Sequence, residues 1–471
     1  MRPVRAALAA ALAAVPLAGT AAAQDAGVGG RWGGRLEVQS LRLRITLAVD
    51  SAEGGLTARF VSVDQGNTAI PAAVAVSADS VTFDMAMIGA SYRAVLVHRD
   101  TLRGEWVQGG GRLPLVMVRG ADAEMVVRRP QTPQPPFPYR AEEVAFDSEP
   151  GVRLAGTLTL PEGAGPHPAA FLITGSGPQD RDETLLGHKP FLVLADHLTR
   201  SGIAVLRVDD RGTGASTGSF AAATSENFAR DAEAAVRFLR ARPEVDAARV
   251  GLIGHSEGGL VAPLVASRTP EVAFVVLLAG PGMPGARLLD MQTSLIARAA
   301  GAEDSVVANA AILRRELFGA VTSIADSAAL AARLREIGAR AMATVAEDAH
   351  DEMRVQLETA VGQFTSPWFR WFLRYDPLPA LRATRVPVLA LNGALDLQVP
   401  PDEDLGGIER ALREGGNPDV TVEKLPGLNH LFQPAATGAP TEYAEIEQTM
   451  APVVLERVTA WILQRFGPAP R

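Results

Sequence analysis

A hydroxyl becomes a nucleophile when a histidine can take its proton and a carboxylate can hold the imidazolium that forms. The chain offers a serine in two Gly-x-Ser-x-Gly settings, Gly214-Ala215-Ser216-Thr217-Gly218 and Gly254-His255-Ser256-Glu257-Gly258. With 45 glycines in 471 residues the bare pattern recurs easily by chance, so context must choose between the copies. A nucleophile elbow needs a strand that feeds a sharp turn opening straight into a helix, with glycines where a side chain would strike neighbouring backbone. Ser256 meets this: Val250–Ile253 reads as the strand and Gly258-Gly259-Leu260-Val261-Ala262 as the start of the helix. Ser216 ends the run Asp209-Asp210-Arg211-Gly212-Thr213-Gly214 and precedes a loop of small residues, so it reads as a structural turn.

The acid and base follow in the order Ser, acid, His. Asp396 comes after the apolar run Val388–Leu391 and the turn Asn392-Gly393-Ala394; His430 comes after Val420–Leu425, within Pro426-Gly427-Leu428-Asn429-His430. Both are expected on loops at the C-terminal ends of strands, the edge at which Ser256 also emerges. His255 adjoins the nucleophile and is expected to point away from it. An oxyanion needs preorganised donors. One expected donor is the backbone N–H of Glu257; the second is that of Ser176, or failing it Gly177, in the glycine-rich turn Thr174-Gly175-Ser176-Gly177-Pro178. The charged run Gln179-Asp180-Arg181-Asp182-Glu183 that follows either orders this turn, reads a charge on the substrate, or is a solvated loop. Trp368, Trp371 and Lys189 are candidates for the substrate pocket. Lys189 is one of only two lysines among 45 basic residues, and the two tryptophans belong to the aromatic cluster Pro367-Trp368-Phe369-Arg370-Trp371-Phe372. The plainer reading of that cluster is the core of a helical insertion.

These residues need a scaffold. From residue 140 to 471, short apolar runs alternate with helical patterns, the signature of a mostly parallel sheet covered on both faces. An edge hairpin, Val144–Phe146 with Val152–Leu160, precedes them, and a helix from Pro452 with one apolar stripe and a stop at Gly467 closes the chain. About a hundred helical residues, roughly 285–384, interrupt the pattern before the strand that leads to Asp396, and are expected to form a lid. Residues 30–128 instead alternate with period two, as in Leu41–Val49 and in Val81, Phe83, Met85 and Met87, which predicts a small antiparallel all-β domain. Its aromatics, among them Trp32, Tyr92 and Trp106, are expected to pack against the second domain. Five prolines in residues 129–139 mark a semi-rigid linker.

Composition narrows the partners. A formal charge of −8 leaves no basic footprint for nucleic acid. Without cysteine there is no thiolate metal site or thiol nucleophile, and neither metal nor cofactor is implied. Arg2 and Arg5, the apolar run from Ala6, and Ala21-Ala22-Ala23 read as a signal peptide over residues 1–23, cut before Gln24. The expected product is periplasmic or secreted, with no stable membrane insertion after cleavage.

The segments Gly254–Gly258, Asp209–Ser216, Thr174–Glu183, Gly187–Phe191, Pro367–Phe372 and the Asp396 and His430 loops resemble those of the α/β-hydrolase superfamily. More closely, the chain resembles secreted bacterial carboxylesterases of the EstD type, which carry a β domain before the hydrolase. The resemblance implies an α/β-hydrolase sheet with a helical lid insertion and hydrolysis of short-chain esters through an acyl-enzyme, without a cofactor. Serine aminopeptidases and prolyl-oligopeptidase relatives share the superfamily, and for a peptidase Asp180, Asp182 or Glu183 would have to bind a substrate ammonium.

Overall fold

The computed structural model describes residues 27–38, 41–52, 55–64, 69–77, 80–109, 111–125, 128–343 and 350–467; the expected signal peptide lies outside them. The described residues fall into two compact units, those of 27–63 with 69–125 and those of 64 with 128–467.

The first unit is a closed barrel of eight strands: β1 (Gly30–Val38), β2 (Leu41–Ala52), β3 (Gly55–Ser62), β4 (Ala69–Val76), β5 (Val81–Met85), β6 (Ala90–Val97), β7 (Thr101–Gln108) and β8 (Gly111–Arg119). A short helix, α1 (Asp122–Met125), follows. Each strand pairs antiparallel with the next, and β8 returns to β1 with Val118 opposite Gly33, so no edge is left open. Alternation puts one side chain in two inside. Trp32, Phe60, Phe83, Tyr92 and Trp106 fill the interior, with Phe60 edge-on to Phe83 at 5.5 Å and to Trp106 at 5.8 Å. This corrects the expectation that Trp32, Tyr92 and Trp106 pack against the second domain: closing the sheet makes the barrel its own core. Met87 also departs from the expected strand. It sits exposed in a single helical turn that ends at Gly89 with φ +60°, where β5 hands over to β6.

The second unit is an eight-stranded sheet in the order β9 (Arg140–Glu149), β10 (Val152–Leu160), β12 (Ala204–Val208), β11 (His167–Ile173), β13 (Val245–His255), β14 (Val275–Leu278), β15 (Val388–Gly393), β16 (Val420–Leu425). β10 runs against its neighbours; from β12 onward the pairing is parallel. Strands buried on both faces need apolar runs: β14 is apolar and buried throughout, and β12 is buried throughout with one charged residue, Arg207, paired with Asp182. Helices α3 (Ser225–Arg240), α4 (Glu257–Ala266) and α11 (Pro401–Glu414) contribute to the core on one face, and α2 (Pro190–Arg200) with α12 (Pro452–Phe466) to that on the other.

Between β14 and β15 stand α5 (Gly285–Ala299), α6 (Asp304–Ser323), α7 (Ser327–Met342), α8 (His350–Thr365), α9 (Pro367–Arg374) and α10 (Leu378–Ala383). The insertion has an apolar core of its own, in which Val321, Leu330, Leu334, Ile337, Phe369 and Leu373 are buried. The proline-rich segment is not a free tether. The Arg129 guanidinium donates to the carbonyls of Leu186 and Ile446, each at 2.8 Å, and Gln131 bonds the backbone of Thr449 and Met450. The polar side chains on either side of Pro130 tie the segment to the body of the second unit.

Candidate active site

The site is assembled at the C-terminal edge of the sheet, where β13, β15 and β16 end. Ser256 directly follows β13 and precedes the first residue of α4. Its backbone is at φ +53°, ψ −116°, a region an L-residue occupies only when its surroundings compel it. They do so here. Ser256 N–H donates to Leu278 of β14 at 2.9 Å, and Gly259 N–H donates back to Ser256 at 2.9 Å. A Cβ on Gly254 would lie 2.0 Å from the Gly258 carbonyl oxygen, and one on Gly258 2.1 Å from that of Ile173. The flanking glycines are therefore steric requirements of the turn.

Asp396 and His430 meet across two loops. Asp396 Oδ2 lies 2.8 Å from His430 Nδ1. Asp396 Oδ1 accepts the backbone N–H groups of Gln398 at 2.7 Å and Val399 at 2.9 Å. Asp396 is 2% exposed and His430 4%, so the pair is shielded from water and the carboxylate is still fully hydrogen-bonded. Ser256 and His430 line one cavity of about 100 Å³ together with Gly175, Ser176, Glu183, His255 and Gln398. Ser256, His430 and the Ser176 turn are thereby brought together, with Asp396 behind the histidine.

Gly175 borders the serine so closely that a Cβ there would lie 3.3 Å from Ser256 Cβ. Its N–H is held by Glu183 Oε1 at 2.7 Å. The Ser176 N–H has no partner among the described residues. The Glu257 N–H, at the first helical position, has no carbonyl one turn back within α4. Gly177, at φ +96°, turns the chain away and is not part of the cavity lining.

The charged loop orders this turn. Asp210 accepts from the Gln179 N–H at 2.9 Å and the Thr174 hydroxyl at 2.8 Å. Burial pushes the Asp210 carboxyl up to about 8 despite those two donors. Arg181 forks onto Asp209 at 3.1 and 3.0 Å. Asp182 is paired with both Arg207 and Lys189, and Asp180 accepts the Thr184 N–H and hydroxyl. Lys189 is thus corrected as a pocket residue: its ammonium, 3.1 Å from Asp182, is bound within the loop and does not line the cavity.

The tryptophans do not line it either. Trp371 stacks on Tyr375 at 4.4 Å and borders a separate surface groove. Trp368 reaches the site from behind, its indole N–H donating to Glu257 Oε1 at 2.8 Å. The Glu257 carboxyl also accepts from the Ser225 hydroxyl, and burial outweighs both donors to raise its pKa. Ser216 is a backbone staple. Its Oγ donates to the Asp209 carbonyl at 2.7 Å and accepts the Ala155 N–H at 2.9 Å.

His255 is the residue the sequence misplaced. Its ring lies 4.9 Å from that of His430, on the same cavity, with Nδ1 2.9 Å from Glu183 Oε1 and Nε2 3.1 Å from the His430 carbonyl oxygen. Burial alone would lower its pKa, but the charge and hydrogen bond of Glu183, the His430 carbonyl and the charge of Asp396 together raise it. Nothing in residues 183 and 255 announces a pairing 72 positions apart. The one signal was a glutamate at the end of a charged loop beside a glycine turn.

The strand order, the elbow and the loop-borne acid and histidine define an α/β-hydrolase fold. A family profile described as "Serine aminopeptidase, S33" matches residues 189–433, more than half of the chain, and the chain belongs to that family. The chain is 25% identical over 313 residues to Esterase EstD of Thermotoga maritima, an alignment covering 66% of each protein. Among solved structures it resembles an esterase of Pyrococcus furiosus at 16% identity, over 73% of this chain and 98% of that one, with a TM-score of 0.44. The α/β hydrolase GrgF of a Penicillium species is similar at 17% identity, over 70% of this chain and all of that one, also with a TM-score of 0.44.

Proposed function

We propose that this protein is a carboxylesterase that cleaves short-chain esters through an acyl-enzyme. Ser256 attacks the ester carbonyl while His430 takes its proton, and Asp396 holds the imidazolium. The N–H groups of Glu257 and Ser176 receive the oxyanion. His430 then protonates the leaving alcohol and activates the water that releases the acid. The observation that carries this reading is the buried 2.8 Å pairing of His430 with Asp396 on a cavity shared with Ser256. The likeness to Esterase EstD supports ester over amide as the substrate.

The family's description favours a second reading, a serine aminopeptidase. Against it stands the loop chemistry: Asp182 already faces two cations, Asp180 caps its own turn, and Glu183 is paired with His255. A substrate ammonium would have to displace one of these partners. Comparing p-nitrophenyl butyrate with aminoacyl-p-nitroanilides decides the matter; turnover of the anilides alone would overturn the esterase reading. Labelling by a fluorophosphonate probe is expected in the wild type and lost in Ser256→Ala.

Removal of residues 1–23 and export to the periplasm or medium complete the proposal. Immunoblots of fractionated cells test it, and an uncut, membrane-bound product refutes it.

A further inference from the structure

Beside the Asp396–His430 pair lies a second buried carboxylate and imidazole, which the chemistry above leaves unused. Glu183 Oε1 accepts the Gly175 N–H and faces His255 Nδ1; the other nitrogen of that ring faces the His430 carbonyl. A backbone carbonyl can only accept, so Nε2 carries a hydrogen. Glu183 Oε1 already accepts the Gly175 N–H, and Nδ1 facing that same accepting oxygen at 2.9 Å is placed to donate to it as well. His255 and Glu183 are both under a tenth exposed, so neither charge has water to replace its partner.

We propose that Glu183 and His255 form a standing ion pair that positions the triad. The imidazolium clamps the His430 loop by its backbone carbonyl, and the carboxylate fixes the Gly175–Ser176 turn. The proposal rests on the reading of Ser256, His430 and Asp396 given above. Three elements are joined through one ring: the loop after β11 carrying Gly175 and Glu183, the end of β13 carrying His255, and the loop after β16 carrying His430. The charged and titratable groups facing that ring are Glu183 from the first, His430 from the third, and Asp396 from the loop after β15.

The test begins with the unaltered full chain, so that it does not depend on a variant folding. Histidine labelled with ¹⁵N is read by NMR at pH 7.5, about one unit above the ordinary imidazole value. A ring with both nitrogens protonated is expected, and its signal should vanish in both His255→Gln and Glu183→Gln. Neutral rings throughout the wild-type spectrum overturn the proposal.

In His255→Gln, kcat for p-nitrophenyl butyrate should fall roughly tenfold to a hundredfold with KM little changed, as expected for lost positioning. The acid limb of kcat/KM should move to higher pH by about half a unit or more, because the lost cation and the unbalanced Glu183 both favour protonated His430. A wild-type kcat with an unmoved limb sinks the idea. Ser256→Ala and His430→Ala, run in parallel, must abolish turnover. Activity surviving in them would instead condemn the triad reading on which the proposal stands.

Discussion

Asp396 divides its two oxygens between tasks: Oδ1 is anchored by two backbone N–H groups, and Oδ2 orients His430. Asp396→Asn preserves shape but supplies the wrong hydrogen to Nδ1, so kcat is expected to fall by about 10³–10⁴ with the fold intact. Steady-state kinetics beside circular dichroism check this. The two motif serines should separate cleanly. Ser256→Ala removes the attacking oxygen, whereas Ser216→Ala removes two hydrogen bonds, one buried and one part-buried, of a side chain that does not line the cavity. The second substitution should cost about 1–3 kcal/mol of stability in a denaturant titration and leave kcat/KM largely unchanged. Comparable loss of activity at both serines would undo the choice between the motifs.

At the scale of elements, the elbow works because β11, β13 and α4 approach to backbone contact. Gly258→Ala would place a methyl group 2.1 Å from the Ile173 carbonyl oxygen and 2.8 Å from that of Thr174, and both neighbours are main chain that cannot swing aside. Loss of soluble protein is expected, measured as yield against wild type; normal yield and activity would show that the elbow can relax. The helical insertion is joined to the elbow by the Trp368 indole, which donates to the carboxyl of the residue after the nucleophile. Trp368→Phe keeps the stacking on Phe372 at 5.1 Å but leaves Glu257 short of a donor. A cost of about 1–2 kcal/mol is expected, read from the unfolding midpoint.

For the whole molecule, buried carboxyls set how stability responds to pH. Burial, with the charge of Asp396, pushes the Asp404 carboxyl up to about 8, against the Gly282 N–H that it accepts at 2.7 Å. Burial likewise raises Asp210 to about 8. A carboxyl raised in the folded state keeps a proton that the unfolded chain releases above about 4, so its contribution weakens as pH rises from there toward 8. Asp404→Asn removes the titration while retaining an acceptor for Gly282. Its Tm relative to wild type is therefore expected to be about 2 °C or more higher at pH 8 than at pH 5, by scanning calorimetry. A difference that stays flat across that range would show that Asp404 does not titrate there.

Much of this design is local, and local features are legible. The strand-to-helix elbow at Ser256, the strand runs ahead of Asp396 and His430, the period-two β domain and the closing helix from Pro452 to Gly467 follow from alternation, glycine spacing and caps within a few residues of one another. What depends on distant partners was beyond such reading. Barrel closure decided that Trp32, Tyr92 and Trp106 are buried in the barrel's own core. Loop packing decided that Lys189 is bound by Asp182, and that Trp368 serves Glu257 rather than a pocket wall. The convergence of three strand ends decided that His255 turns toward Glu183 and His430. A side chain's neighbours along the chain set its backbone; only the folded sheet brings within 3 Å a charge that lies dozens of positions away.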